Sequence, residues 1–112
     1  MMAEWRNACS VADLQADSGV CVLLQGQQVA LFYMPKDNAI YGLNNYDPFG
    51  DANVLSRGII GDIGNQPVVS SPLHKQHFNL NTGVCLEDET VTIPTYPTRI
   101  IQGNVQISIA NA

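Results

Sequence analysis

The feature that most constrains this chain is the spacing of its apolar residues, which occur in short runs separated by residues typical of turns. Runs of about four to seven residues suit strands, and no segment keeps a 3.6-residue period long enough for a core helix. The sequence therefore predicts a mainly β fold. A length of 112 residues predicts that residues 1–112 form a single domain.

The turn residues between these runs indicate the order of the strands. Val20–Leu24 and Val29–Tyr33 flank a short connection that contains Gly26, and Ala39–Leu43 follows next, so we expect a three-stranded meander. Ser10–Ala16 is the one predicted helix, of one or two turns, with Ser10 as its N-cap. Further predicted strands are Pro67–Ser70, Gln76–Leu80, Val91–Ile93, Thr98–Ile101 and Val105–Ile109, with the last two forming a hairpin.

Composition narrows the classes of function. Five Lys and Arg residues against ten Asp and Glu residues give a net charge of −5, which argues against binding to nucleic-acid phosphates. No apolar run is long enough to predict a membrane span. The three cysteines, Cys9, Cys21 and Cys85, form no Cys-x-x-Cys pair and no secreted disulfide pattern, so we expect a reduced, cytoplasmic protein.

Two segments interrupt the pattern of strands. The first, Asn44–Arg57, contains Asp47-Pro48-Phe49-Gly50, and the second, Ser70–His77, contains Pro72. Irregular loops on a rigid β scaffold often carry the functional residues. These two loops are therefore the candidate functional site.

At these loops the sequence resembles the Rieske-type iron–sulfur domains, which bind a [2Fe-2S] cluster through two cysteines and two histidines. The resemblance is carried by Leu55–Ile60, Ser71–Leu80 and the turn Thr82-Gly83. It implies a Rieske-like antiparallel β-sandwich of about eight to ten short strands with at most one short helix.

The resemblance also implies that the cluster is missing. It puts Asp47 and Phe49 at the ligand positions of the first loop, and Ser71 and His74 at those of the second. Phenylalanine has no donor atom for iron, and a serine hydroxyl is a poor substitute for a soft thiolate. We therefore expect neither a cofactor nor a metal ion on this chain, with these four positions as vestiges of the ligand set.

Four motifs are similar to those of the small subunits of cytoplasmic NADH-dependent nitrite reductases, namely Asp47–Phe49, Val54–Gly58, Ser71–Gln76 and Gly83–Glu89. This similarity implies a small subunit without catalytic residues, in an enzyme that reduces nitrite to ammonium. The implied large subunit carries FAD, a [4Fe-4S] cluster and sirohaem, and NADH is the electron donor. Two alternatives stay open at this point: a Rieske-type [2Fe-2S] ferredoxin that delivers electrons to an oxygenase, and an independent binding module.

The same resemblance suggests that the tips of the two loops face the large subunit. Phe49 is either an apolar anchor for that partner or part of the core. The acidic run Glu87–Glu89 is either a docking patch or a solvated turn. The candidate partner-binding residues are Tyr46, Phe49, Arg57, Leu73, Lys75 and His77.

Overall fold

Strands dominate the computed structural model, which describes residues 4–37, 39–73 and 75–109. Within these residues the helical elements are three 3₁₀ turns, Val11–Asp13, Pro35–Asp37 and Leu55–Arg57, so the predicted mainly β class is confirmed. The twelve strands are β1 (Trp5–Ser10), β2 (Ser18–Leu24), β3 (Gln27–Met34), β4 (Ala39–Asn44), β5 (Tyr46–Asp47), β6 (Ala52–Asn53), β7 (Ile59–Ile63), β8 (Gln66–Ser70), β9 (His77–Asn79), β10 (Thr95–Tyr96), β11 (Thr98–Ile101) and β12 (Asn104–Ser108).

The strands form three antiparallel sheets and one small hairpin. The central sheet has the order β10–β4–β3–β2, and the two outer sheets have the orders β1–β12–β11 and β7–β8–β9. Strands β5 and β6 form the hairpin. Since β2, β3 and β4 pair in sequence order, the predicted meander is confirmed, and so is the hairpin of β11 and β12.

Strand β3 lies at the centre of the core because both of its faces are buried. Side chains alternate between the two faces of a strand, so Val29 and Leu31 point to one side while Ala30 and Phe32 point to the other. All four are fully buried. The first pair packs with residues of β12, and the second pair packs with residues of β8 and β9. The two outer sheets therefore cover opposite faces of the central sheet.

The predicted helix at Ser10–Ala16 is only a single 3₁₀ turn, Val11–Asp13. The predicted N-cap is correct: Oγ of Ser10 accepts a hydrogen bond from the backbone N–H of Ala12 at 3.2 Å, and the carboxylate of Asp13 accepts one from the N–H of Ser10 at 3.1 Å. The turn ends because Leu14 is already extended, with φ −87° and ψ 150°. The helical elements of the described residues have three residues each, and none has the length and hydrophobicity of a membrane-spanning helix.

The strand count exceeds the expected eight to ten because three of the twelve strands, β5, β6 and β10, have two residues each. Strands β1 and β7 were not expected from the sequence. The predicted strand Val91–Ile93 is wrong, since it makes only the isolated bridge between Thr92 and Val84 before Pro94 ends the pairing. Its residue Ile93 is nevertheless buried in the core.

Candidate functional site

The first loop is the hairpin of β5 and β6, and the buried side chain of Asn45 fixes its base. The amide nitrogen of Asn45 donates to the carbonyl of Asn53 at 3.0 Å, and its Oδ1 accepts from the N–H of Ser56 at 2.7 Å. Buried amides normally satisfy their hydrogen-bonding groups in this way. Asn45 is not among the residues predicted from the sequence, because an asparagine before a turn is common in any loop.

Two further hydrogen bonds shape the tip of this loop. Oδ1 of Asp47 accepts from the backbone N–H of Phe49 at 2.9 Å, which forms a local turn across Pro48. The hydroxyl of Tyr46 donates to the carboxylate of Asp51. That hydrogen bond is the main reason why the pKa of Tyr46 lies above its ordinary value. Tyr46 is thus held as a neutral, partly exposed phenol.

The second loop, between β8 and β9, is organised around Ser71. Its backbone N–H donates to the carbonyl of Gln76 at 2.9 Å, and its carbonyl accepts from the N–H of Lys75 at 3.1 Å. Its Oγ accepts from the N–H of Leu73 at 3.2 Å. Lys75 has a φ of 61°, so the chain reverses sharply there. His74 lies outside the described residues.

A direct hydrogen bond joins the two loops at the positions where the family resemblance expected two cysteines. The hydroxyl of Ser71 donates to Oδ2 of Asp47. Asp47 is 0% exposed and Ser71 is 1% exposed. A carboxylate is rarely this buried unless it has hydrogen-bond partners, and Asp47 has two, one from each loop. The pair therefore links residues 24 positions apart by a direct hydrogen bond.

Apolar contacts on both loops accompany the hydrogen bond between Asp47 and Ser71. The ring of Phe49 lies 6.1 Å from that of Phe78, measured between centroids and tilted by 42°, and packs against the core. Phe49 is thus half-buried against the core, and its role as an apolar anchor for a partner stays a prediction. Leu73 lies over Gly50, where a Cβ would come within 2.5 Å of Cδ1 of Leu73. Gly50 thus lets the second loop rest on the first, while Leu73 stays 49% exposed.

An open cleft of about 420 Å³ lies beside the second loop and is positively charged. The basic side chains of Arg57 and Lys75 line it together with Ile59, which is 77% exposed. Neither basic group forms an ion pair within the described residues. The remaining lining residues are Ser70, Ser71 and Pro72.

His77 belongs to strand β9 and is paired with an acidic residue. Its Nδ1 lies 2.8 Å from Oε2 of Glu87, and its backbone N–H donates to Oε1 of the same carboxylate at 2.7 Å. Partial burial raises the pKa of Glu87, but these hydrogen bonds outweigh burial and leave the pKa below its ordinary value. Within the acidic run, Glu87 is thus hydrogen-bonded to strand β9 through both the backbone and the side chain of His77.

Three of the four expected ligand positions lie within the described residues, and the side chains there, Asp47, Phe49 and Ser71, do not fit a [2Fe-2S] cluster. Asp47 and Ser71 are bonded to each other, and Phe49 has no donor atom and packs against the core. No group of three or more potential metal ligands occurs in residues 4–37, 39–73 and 75–109. The observed donor set therefore gives no basis for electron transfer by a cluster at these loops.

The three cysteines lie on other parts of the fold. Cys85 is buried in the core, Cys9 is half-buried on β1, and Cys21 is exposed on β2. Desolvation is the largest influence on each thiol and raises its pKa. Cys85 is thus a small buried apolar residue, whereas Cys21 is open to solvent.

A family model, sequence relatives and solved structures each match this chain over nearly its full length. Residues 4–108 match the family model of the Rieske-like [2Fe-2S] domain. The nitrite reductase (NADH) small subunit of Salmonella typhimurium is 41% identical over 106 residues, which are 95% of this chain and 98% of that relative. A crystal structure from Mycobacterium tuberculosis, described as an NADH-dependent nitrite reductase small subunit, superimposes with a TM-score of 0.93 at 41% identity and covers all of both chains.

A further relative has a different architecture. The nitrite reductase [NAD(P)H] large subunit of Klebsiella oxytoca is 33% identical over 103 residues. The match covers 92% of this chain but only 11% of that relative. In that organism a domain similar to this chain is therefore part of a much longer polypeptide.

Proposed function

Because the chain belongs to the family of nitrite reductase (NADH) small subunits, we propose that it works as a cluster-free structural partner of a large, redox-active subunit. Sequence identity of 41% over 95% of this chain and 98% of the relative is the observation that carries this proposal. The reaction of the proposed complex is the reduction of nitrite to ammonium. FAD, a [4Fe-4S] cluster and sirohaem belong to the large subunit, NADH supplies the electrons, and the complex is cytoplasmic.

The Klebsiella oxytoca relative supports the choice of partner. A domain similar to this chain is joined there to a nitrite reductase large subunit in one polypeptide. Two domains that share a polypeptide are held at a high effective concentration, which favours contact between them. In the present chain, a binding surface would take the place of that covalent connection.

The end of the domain that carries both loops is our candidate for this binding surface. Tyr46 and Leu73 are 38% and 49% exposed, and Arg57 and Lys75 bring basic groups to the same end. Aromatic, apolar and arginine side chains are typical anchors of protein interfaces. Phe49 and His77 complete the set of candidate partner-binding residues: Phe49 packs against the core, and His77 is hydrogen-bonded to Glu87.

The role of this chain in the reaction is to bind and orient. The hydrogen bond between Asp47 and Ser71 fixes the two loops relative to each other, so the surface is formed before the partner arrives. A preformed surface loses less conformational entropy on binding. Electrons stay within the large subunit, because the donor set of these loops is unsuited to a cluster.

Reconstitution of the complex tests the proposal. We expect the purified chain to be colourless and free of iron and acid-labile sulfide, and to co-purify with the large subunit. Nitrite-dependent oxidation of NADH should rise when the chain is added to the large subunit alone. Stoichiometric binding of iron and sulfide by the purified chain would contradict the proposal. So would a chain that neither associates with the large subunit nor changes its nitrite-dependent oxidation of NADH.

Charge and size variants test the surface. Leu73→Glu and Lys75→Glu should each weaken association with the large subunit roughly tenfold or more. The first variant buries a carboxylate in the interface, and the second reverses a charge there. The matched controls are Ile101→Glu, which changes a side chain that is 43% exposed on β11, and Lys36→Glu, which changes a lysine in a 3₁₀ turn. Equal effects of test and control variants would exclude this end of the domain as the interface.

A further inference from the structure

Strand β7 leaves one edge of its sheet open next to the basic cleft. It pairs with β8 on one side, and no strand in the described ranges pairs with its other side. Four of its five residues are exposed, and Ile59 at its start lines the cleft. Open edges readily recruit another strand, so native proteins usually shorten, charge or cover them. An open edge of five residues with an isoleucine at each end therefore calls for a functional explanation.

The turn that follows β7 determines how its backbone is oriented. Gly64 and Asn65 form a two-residue connection, and both have positive φ, 58° and 66°. The flanking residues Ile63 and Gln66 are therefore a hydrogen-bonded pair, and bonded and non-bonded pairs alternate from there along the hairpin. Gly61 and Ile59 thus direct their backbone groups toward β8.

The other residues of β7 direct their backbone groups outward. Asp62 lies opposite Pro67, which has no N–H and whose carbonyl accepts from the N–H of Leu80 at 2.9 Å on the far side of β8. This hydrogen bond confirms that Pro67 does not bond to β7. The N–H and C=O groups of Asp62, and of Ile60 two residues earlier, consequently point to the open edge. They offer a ready ladder of four groups to an added strand.

The charges beside this edge indicate what it binds. Only five of the 112 residues are Lys or Arg, and two of these, Arg57 and Lys75, line the cleft where β7 begins. Both lack an ion pair among residues 4–37, 39–73 and 75–109. With a net charge of −5, copies of this chain repel one another, which favours a different partner over a second copy.

We propose that a segment of the large subunit adds to the open edge of β7 as an extended strand. The segment carries an apolar side chain next to Ile59 and a carboxylate that enters the cleft between Arg57 and Lys75. Backbone hydrogen bonds supply the pairing, and the cleft selects the side chains, as in other cases of strand addition. This inference rests on the proposed function, since it names the way in which the same partner is held.

Amide hydrogen exchange on the complete complex tests the pairing. In the chain alone, the amides of Ile60 and Asp62 should exchange rapidly, and in the complex both should slow by roughly tenfold or more. The amides of β11, the open edge of another sheet, are the internal control and should not change. Protection of the loop tips without protection of β7 would overturn this inference and leave the proposed function intact. Failure of the two proteins to associate would instead contradict the proposed function.

A proline variant provides the second test. Asp62→Pro removes an outward N–H without removing a hydrogen bond to β8, whereas Asp62→Ala keeps that N–H. Both variants lose the contact in which Oδ1 of Asp62 accepts from the N–H of Asn65 at 3.1 Å, so their comparison isolates the edge. We expect Asp62→Pro to bind the large subunit roughly tenfold more weakly than Asp62→Ala, with near-identical amide spectra outside the hairpin. Equal affinities, or a concentration-dependent dimer that protects the β7 amides of the isolated chain, would overturn the inference.

Discussion

Substitution of Ser71 by alanine should destabilise the domain far more than the loss of one surface hydroxyl. The change removes the hydrogen bond to Oδ2 of Asp47 and the acceptor for the N–H of Leu73, and it leaves a fully buried carboxylate with one remaining partner. A hydrogen bond to a carboxylate contributes about 1.5–3 kcal/mol and a neutral one about 0.5–1.5 kcal/mol. We therefore expect the free energy of unfolding to fall by about 2–4 kcal/mol, a large part of the about 5–15 kcal/mol typical of a domain.

Urea denaturation followed by tryptophan fluorescence and far-ultraviolet circular dichroism measures this loss. The midpoint should fall by about 1–2 M while the dependence on urea stays unchanged, since the same surface is exposed on unfolding. Ser108→Ala is the matched control, because Ser108 is 2% exposed but lies on β12. It should cost about 1 kcal/mol or less.

A double-mutant cycle with Asp47→Asn determines whether the two side chains act together. If they do, the double variant loses less stability than the two single variants combined, by about 1 kcal/mol or more. Amide chemical shifts should change in both loops, around Phe49 and around Leu73, even in the single Ser71→Ala variant. A loss no larger than that of Ser108→Ala, or a coupling energy near zero, would refute the reasoning that this hydrogen bond joins the loops.

Three further predictions concern other parts of the fold. Gly83→Ala should lower the free energy of unfolding by about 2 kcal/mol or more in urea denaturation, because Gly83 has a φ of 78° and a Cβ there would overlap the carbonyl oxygen of Ile93; a neutral result would show that this turn can move. Since the folded state holds the pKa of Glu87 below its ordinary value of 4.5, the stability that Glu87 contributes is complete above that pH and is lost as the pH falls through the lower folded value. Stability measured from about pH 6 to about pH 3 should therefore fall less steeply in Glu87→Gln than in the unmodified chain, and equal slopes would contradict this assignment. Iodoacetamide should modify exposed Cys21 well before buried Cys85, slowly at pH 7 and faster as the pH rises because burial raises the pKa of both thiols; modification of both at one rate would indicate that the core opens readily.

The sequence predicted the parts of the fold that local patterns determine. The meander of β2, β3 and β4 follows from apolar runs and turn residues, and the cap at Ser10 follows from its side-chain chemistry. Strand β7 was missed because four of its five residues are exposed, so it lacks the burial pattern by which a strand is identified. The segment Val91–Ile93 is apolar because Val91 and Ile93 pack in the core, and it forms no strand because Pro94 follows directly.

At the candidate site, too, the sequence predicted the location of the loops but not the long-range contacts between them. The resemblance located both loops and the four former ligand positions, but it gave no indication that Asp47 and Ser71 bond to each other. That contact joins residues 24 positions apart, and only the folded chain brings them together. The basic cleft was likewise hidden, because Ile59 contributes to it from a strand that the sequence did not reveal. Long-range pairing of single side chains carries no local signal.

The bond between Asp47 and Ser71 also has a consequence for how the protein matures in the cell. A domain whose loops are joined by an iron–sulfur cluster reaches its final form only after a delivery system has supplied iron and sulfide. Here both halves of the connection are encoded in the polypeptide, so the loops close in the same step in which the domain folds. The link between the two loops therefore forms from groups that the chain itself supplies, and its strength is part of the folding free energy of the domain.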